Sequence, residues 1–226
     1  MGSPLLKSPE LTTGMRLDLD EFLARWEALP GLKFAELIEG VVYLSSPVSS
    51  EHCRYEHFLS GWLWLYAEAT RGCDAGHNGT WTMLGQSPQP DIFLRITEEF
   101  GGQSIDTGKL LAGAPELVAE ICVTSAEIDF GPKLALYRRA LVREYITIQP
   151  LMPRIVWRDL VAGSYQEIKP DSKGVLRSEC FPGLWLDTGA FWANDRRRMH
   201  KTLNAGLKSA AHREFVERLT ERRIGA

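Results

Sequence analysis

Asp91, Glu120 and Lys133 are the residues of this 226-residue chain whose types and spacing carry chemistry. Asp91 follows Pro90 and opens an apolar run, Ile92-Phe-Leu-Arg-Ile96. Glu120 stands inside a second run, Glu116-Leu-Val-Ala-Glu-Ile-Cys-Val123. A carboxylate within an apolar strand is costly unless it is paired or holds a cation. Two carboxylates on neighbouring strands can face one side and share a Mg²⁺, or the similar Mn²⁺, which takes oxygen ligands and keeps several waters. A metal so held polarises a phosphoryl oxygen and lowers the pKa of a bound water. A nearby lysine assists that water's deprotonation or neutralises the charge gathering at phosphorus. Pro-Asp…Glu-x-Lys is therefore an arrangement suited to phosphodiester hydrolysis. Here Cys122 stands two residues after Glu120, and a thiol cannot take the cationic role. Lys133, at the first turn of the next predicted helix, can swing its ammonium back over the strand's end.

The elements that must position these groups are legible around them. Residues 114–150 read as strand, crossover helix and parallel strand, a right-handed unit. Gly131-Pro132 marks the helix start, and Leu134, Tyr137 and Leu141 are expected on its buried face. Arg143 to Gln149 is the second strand. Earlier, Asp18 caps a helix carrying Phe22, Trp26 and Leu29. Phe34–Ile38 and Val41–Leu44 form a hairpin turning at Glu39-Gly40. Ser49 or Ser50 caps a long helix that ends near Arg71-Gly72 and is apolar over a wide arc. Thr80–Leu84 and Asp91–Ile96 are predicted strands. Residues 97–113 are predicted to be a polar surface connection. Short strands follow Pro150, a packed segment spans Phe181–Leu186, and a helical segment begins at Asp195.

The charge is uneven. The net formal charge is −3, but from residue 191 onward nine Lys/Arg face four Asp/Glu. The net charge argues against a coat of basic residues for tight nonspecific nucleic-acid binding, while an acidic body with a basic tail fits a carboxylate-lined site and a separate contact element. The four cysteines are scattered and read as free thiols. No run is long enough to span a bilayer and no secretory or myristoylation signal is read at the start, so the expectation is a cytoplasmic protein with no membrane partner.

The ordered set Leu19-Asp-Glu-Phe-Leu23, Glu36-Leu-Ile-Glu-Gly40, Ser50-Glu-His52, Gln89-Pro-Asp91, Gly113–Glu120, Lys133–Tyr137, Glu144–Ile148 and Phe181–Leu184 resembles the Uma2 (DUF820) family. That family is a restriction-endonuclease-like branch of the PD-(D/E)xK nucleases. The resemblance implies an α/β fold: a mixed central sheet flanked by helices, with an N-terminal helix and a C-terminal helical tail. It implies Asp91 and Glu120 as metal ligands, Glu36 as a contributor and Lys133 as the migrated lysine. Cys122–Ser125, Ala35 and Gln149 depart from the family's usual residues.

The domain reading is a flexible lead-in over 1–16, the nuclease-like domain over 17–190 and a basic amphipathic tail over 191–226. The expected function is Mg²⁺-dependent endonucleolytic hydrolysis of DNA, with Asp91, Glu120, Lys133 and Glu36 as the catalytic set. His52 is expected to reach substrate phosphate. Tyr137 is expected in the core, its hydroxyl at the site's edge and in reach of substrate. Glu127 and Asp129 are expected to be solvated or to cap the helix. Nucleic acid and a second copy of the chain, as a homodimer, are the expected partners. The alternative is an inactive binding or regulatory module that keeps the fold.

Overall fold

The structure, a computed structural model, describes residues 10–45 and 47–223. The chain runs α1 (Leu19–Glu27), β1 (Ala35–Ile38), β2 (Val41–Leu44), α2 (Ser50–Glu68), β3 (Cys73–His77), β4 (Trp81–Thr82) and β5 (Ile92–Ile96). Then come β6 (Ser104–Asp106), β7 (Leu111–Gly113), β8 (Leu117–Ile121), α3 (Ala126–Phe130), α4 (Pro132–Arg139) and β9 (Glu144–Gln149). The remainder is β10 (Arg154–Val161), β11 (Ser164–Glu167), β12 (Val175–Arg177), β13 (Trp185–Asp187), α5 (Thr188–Trp192), α6 (Arg196–Leu207) and α7 (Ala210–Arg222).

Six strands form a mixed central sheet in the order β11-β10-β9-β8-β5-β3. Within this sheet only β8 and β9 pair in parallel, joined by the crossover through α3 and α4. Every residue of β5 and β8 is buried, which explains their nearly continuous apolar sequences. Their faces separate with the period of a strand. Ile92, Leu94, Leu117, Ala119 and Ile121 join one core, with α2, α6 and α7. Phe93 and Val118 join another, with Leu136 and Tyr137 of α4. Glu120 therefore projects on the α4 side of the sheet, as Val118 does.

α2 starts where Ser49 Oγ accepts from the His52 amide and stops before Gly72, whose φ of 91° suits glycine. Its buried residues Leu59, Trp62, Leu63 and Tyr66 lie at helical spacing. Continued back one and two turns, that stripe meets Glu56 and His52, so it turns polar where α2 reaches the end of the sheet. The β1–β2 hairpin closes through Glu39 and Gly40 at φ 54° and 70°, two left-handed residues that match strand twist.

Several expectations are corrected. The segment 97–113 is not a bare connection: it makes a 3-10 turn, then β6 and β7, which form a separate small sheet with β4. The lead-in is only in part within the described residues. From residue 10 on it packs rather than dangles, with Leu11 buried and the Gly14 amide donating to the Val42 carbonyl at 2.8 Å. On α4 the buried side chains are Lys133, Leu136 and Tyr137, while Leu141 is exposed. Leu141 lies past the helix end at φ 64°, so the helical period no longer governs it. The basic tail is helical as expected, two helices that bury Met199, Leu203, Phe215 and Leu219 in the main core.

Candidate active site

The register of β5 on β8 sets Ile92 opposite Ala119. One step further, Asp91 falls opposite Glu120 on the same side of the sheet. The two are cross-linked through the main chain. The Ile121 amide donates to Asp91 Oδ2 at 2.6 Å, and the Asp91 amide donates to Glu120 Oε2 at 3.3 Å.

α4 supplies the cation. Lys133 Nζ lies 3.0 Å from Glu120 Oε1 and 2.9 Å from Glu36 Oε1, with only 4% of the residue exposed. Its first-turn position follows from Gly131-Pro132. A Cβ on Gly131 would stand 2.6 Å from the Glu127 carbonyl, so only glycine permits the tight corner between α3 and α4. That corner also turns Asp129 inward. Asp129 is 1% exposed, accepts from Ser125 Oγ, and has Oδ1 3.9 Å from Lys133 Nζ with no hydrogen-bond partner. The expectation that Asp129 is solvated is thus wrong, while Glu127 is exposed as expected.

Glu36 arrives from the hairpin and is fixed by the Gln89 amide at 2.7 Å. Gln89 in turn takes the Ala35 amide on its side-chain oxygen and donates to Thr80 Oγ1. Tyr137 donates to Glu120 Oε1 at 2.9 Å and has no exposed surface. It cannot touch a substrate, which corrects that part of its expected role; its hydroxyl orients Glu120. His52 stands on the open side, its Nε2 3.4 Å from Asp91 Oδ1 and 3.6 Å from Glu56 Oε2. Glu56 accepts from Asn78 Nδ2 at 2.7 Å.

Five carboxylates, those of Glu36, Glu120, Asp129, Asp91 and Glu56, thus share one ammonium and one imidazole. Burial pushes the Glu120 carboxyl well up; Lys133 opposes this, and Asp91, Asp129 and Glu36 add to it. Burial likewise raises Glu36 and Asp129 against the pull of Lys133. Burial alone would lower Lys133, but Glu120, Glu36 and Asp129 more than reverse it, so the amine stays protonated. The hydrogen bond to Asp91 raises His52, against burial. Burial also holds the Cys122 thiol far above its usual range, so the residue at the strand lysine's place is an inert neutral group. Among the described residues no three His, Cys, Asp or Glu side chains converge as a ready metal cage.

Asp129, Glu56 and Gln89 are site residues that sequence reasoning missed. Glu56 had a signal: a His and a Glu at i and i+4 continue the apolar stripe of α2. Gln89 had one in the Gln89-Pro-Asp91 motif, and Asp129 had one in its i, i+4 spacing from Lys133.

An α/β core of this kind has a solved counterpart. The fold is similar to that of a protein from Anabaena variabilis ATCC 29413 described as a "putative nuclease belonging to DUF820". The likeness has a TM-score of 0.60 at 16% identity and covers 78% of this chain and 98% of that one. The family model for Uma2, "Putative restriction endonuclease", matches residues 19–189, and the chain belongs to that family. No curated protein matches the chain. No helix among the described residues is long and apolar enough to cross a membrane.

Proposed function

We propose that this chain is a nuclease that hydrolyses DNA phosphodiesters with a divalent metal, Mg²⁺ or Mn²⁺, held by Asp91 and Glu120. The carrying observation is the buried Lys133 ammonium within 3.0 Å of both Glu120 and Glu36. From α4 it provides the positive charge that Cys122 cannot.

The donor set fits such a metal. Asp91 and Glu120 present hard oxygens, and each keeps one that is loosely held: Asp91 Oδ1, 3.4 Å from His52, and Glu120 Oε2, 3.3 Å from the Asp91 amide. The surplus of negative charge in a buried pocket favours a cation there. With two protein ligands, the other positions fall to waters and substrate oxygens, as Mg²⁺ prefers. When bound, the metal would supply a water of lowered pKa and a positive charge facing the phosphoryl group. Lys133, always protonated, acts by charge rather than as a base, and it fixes Glu120 and Glu36. Tyr137 positions Glu120. His52 faces the open side and would bind a substrate phosphate. We place the protein in the cytoplasm and as a homodimer, since two-fold symmetry suits cutting both strands.

The test is cleavage of supercoiled and single-stranded DNA by purified protein with Mg²⁺ or Mn²⁺, and with chelator. Metal-dependent cuts that vanish in Asp91→Ala, with the circular dichroism spectrum unchanged, are expected. Intact DNA under every metal condition overturns the reading. One observation favours an inactive binding module instead: Lys133 is held by two carboxylates at 2.9 and 3.0 Å, so its charge is already compensated. That module would bind nucleic acid equally well with and without metal.

A further inference from the structure

A second cavity, of about 140 Å³, opens beside the start of α2 and is lined by Arg54, Tyr55, Phe58, Phe191, Trp192 and Asn194. Its floor is aromatic. Phe191, with no exposed surface, stacks on Tyr55 at 5.6 Å and 27° and on Phe58 at 5.4 Å and 17°. Trp192 stands edge-on to Phe191 and Tyr55, with centroids 5.1 and 5.4 Å away. Tyr55, Phe58 and Trp192 are only half-buried, so each keeps ring surface free. Arg54 lines the cavity, and Arg196 and Arg197 follow two and three residues after the lining Asn194. All three are exposed and make no ion pair among the described residues, whereas neighbouring Arg198 is held by Asp187 at 2.6 Å. Arg196 and Arg197 occupy the first turn of α6, where the helix dipole disfavours cations, so the stability of α6 does not explain them.

Tyr55 is less than one helical turn from His52, which touches Asp91. The pocket is therefore within reach of the nucleotide adjoining one seated at the candidate site. We propose that it takes one unstacked base of that strand, with Arg54, Arg196 and Arg197 on the flanking phosphates and the Asn194 amide on the base edge. The position of the strand rests on the nuclease reading; the chemistry of the pocket does not. Aromatic faces stack on any base, and free arginines complement the backbone. A base inside a duplex cannot enter without being extruded. The substrate class that follows is single-stranded or locally unpaired DNA.

Binding is measured in chelator, so that it is independent of cleavage. The probe is a short oligodeoxynucleotide, single-stranded or paired with its complement. The wild type is expected to bind the single strand about tenfold more tightly than the duplex, and Tyr55→Leu to erase about tenfold of that affinity. The exposed pair Arg196→Ala/Arg197→Ala should lower the salt dependence of binding by about two phosphate contacts. A variant-free arm keeps the test open should Tyr55→Leu misfold. A 5-iodouracil in the strand, irradiated on the wild-type protein, should cross-link to Tyr55, Phe58 or Trp192. Tighter binding to duplex, or a folded Tyr55→Leu that binds as the wild type does, overturns the inference. So do cross-links only elsewhere, and the cavity is then ordinary packing. Cleavage without these cross-links spares the nuclease reading and ends this one; cross-links without cleavage do the reverse.

Discussion

Glu120 and Glu144 sit on the adjacent strands β8 and β9, both almost fully buried, and their surroundings differ in kind. Glu144 is surrounded by neutral donors: Trp157 Nε1 at 3.0 Å, Ser178 Oγ at 2.8 Å, and the amides of Glu179 and Cys180 at 2.7 and 2.9 Å. Burial pushes its pKa up to about 7 although all four donors pull the other way. Nothing is left over at that position: both oxygens are doubly bonded and the residue staples the 178–180 loop to the sheet. Glu120 has the opposite environment. It shares one ammonium with two other acids, Glu36 and Asp129, one of its oxygens is loosely held, and a buried Asp129 oxygen nearby lacks a partner. Burial alone therefore does not mark a site. A satisfied buried acid is a structural joint; a crowded, under-compensated one is a place built to receive charge.

That contrast can be broken most forcefully at Lys133. Lys133→Met leaves buried carboxylates without their cation and should cost about 3–5 kcal/mol, lowering the melting temperature by roughly 6–20 °C as read by calorimetry. Cleavage should disappear in whatever fraction remains folded. A melting temperature within a degree of wild type would mean that the site's charges are solvated.

Glu144→Ala tests the other half. It strands four donors and should cost about 3 kcal/mol, with cleavage per folded molecule unchanged. A loss of cleavage without a loss of stability would erase the distinction between the two acids.

The distinction sharpens with pH. A carboxyl whose folded pKa lies above its unfolded value contributes stability that is complete below the unfolded pKa and fades as pH rises through the folded one. For Glu144 that window runs from the ordinary value of 4.5 to about 7. Relative to Glu144→Gln, the wild type should lose about 2 kcal/mol between pH 5 and 7, as followed by urea denaturation. The smallest expected effect is at His52, where Ala should reduce cleavage about tenfold and leave stability within about 0.5 kcal/mol. Unchanged cleavage would remove His52 from the substrate side.

Much of this site was legible before any coordinates. Asp91 and Glu120 could be paired because β5 and β8 are nearly continuous apolar runs, on the condition that the two strands lie side by side. Lys133 could be placed because Gly131-Pro132 fixes where α4 begins. Glu36 needed the family resemblance, since a hairpin carboxylate is ordinarily solvated. Asp129 was misread because an acid just before a helix usually caps it. The α3–α4 corner at Gly131, with a dihedral pair no sequence period reveals, aims it inward instead. β6 and β7 were hidden because each is three residues long, too short for an alternation to show, whereas β4 was read within Thr80–Leu84 and is shorter than that run. The face of α4 was misjudged at Leu141 for a similar local reason, a left-handed residue closing the helix one step early.

The central proposal is that Asp91 and Glu120 together hold a divalent cation. Titration calorimetry with Mn²⁺ on the wild type, Asp91→Asn and Glu144→Gln measures it directly. The account predicts one Mn²⁺ per chain in the wild type and in Glu144→Gln, and none in Asp91→Asn. Equal binding by all three proteins, or binding by none, would contradict it.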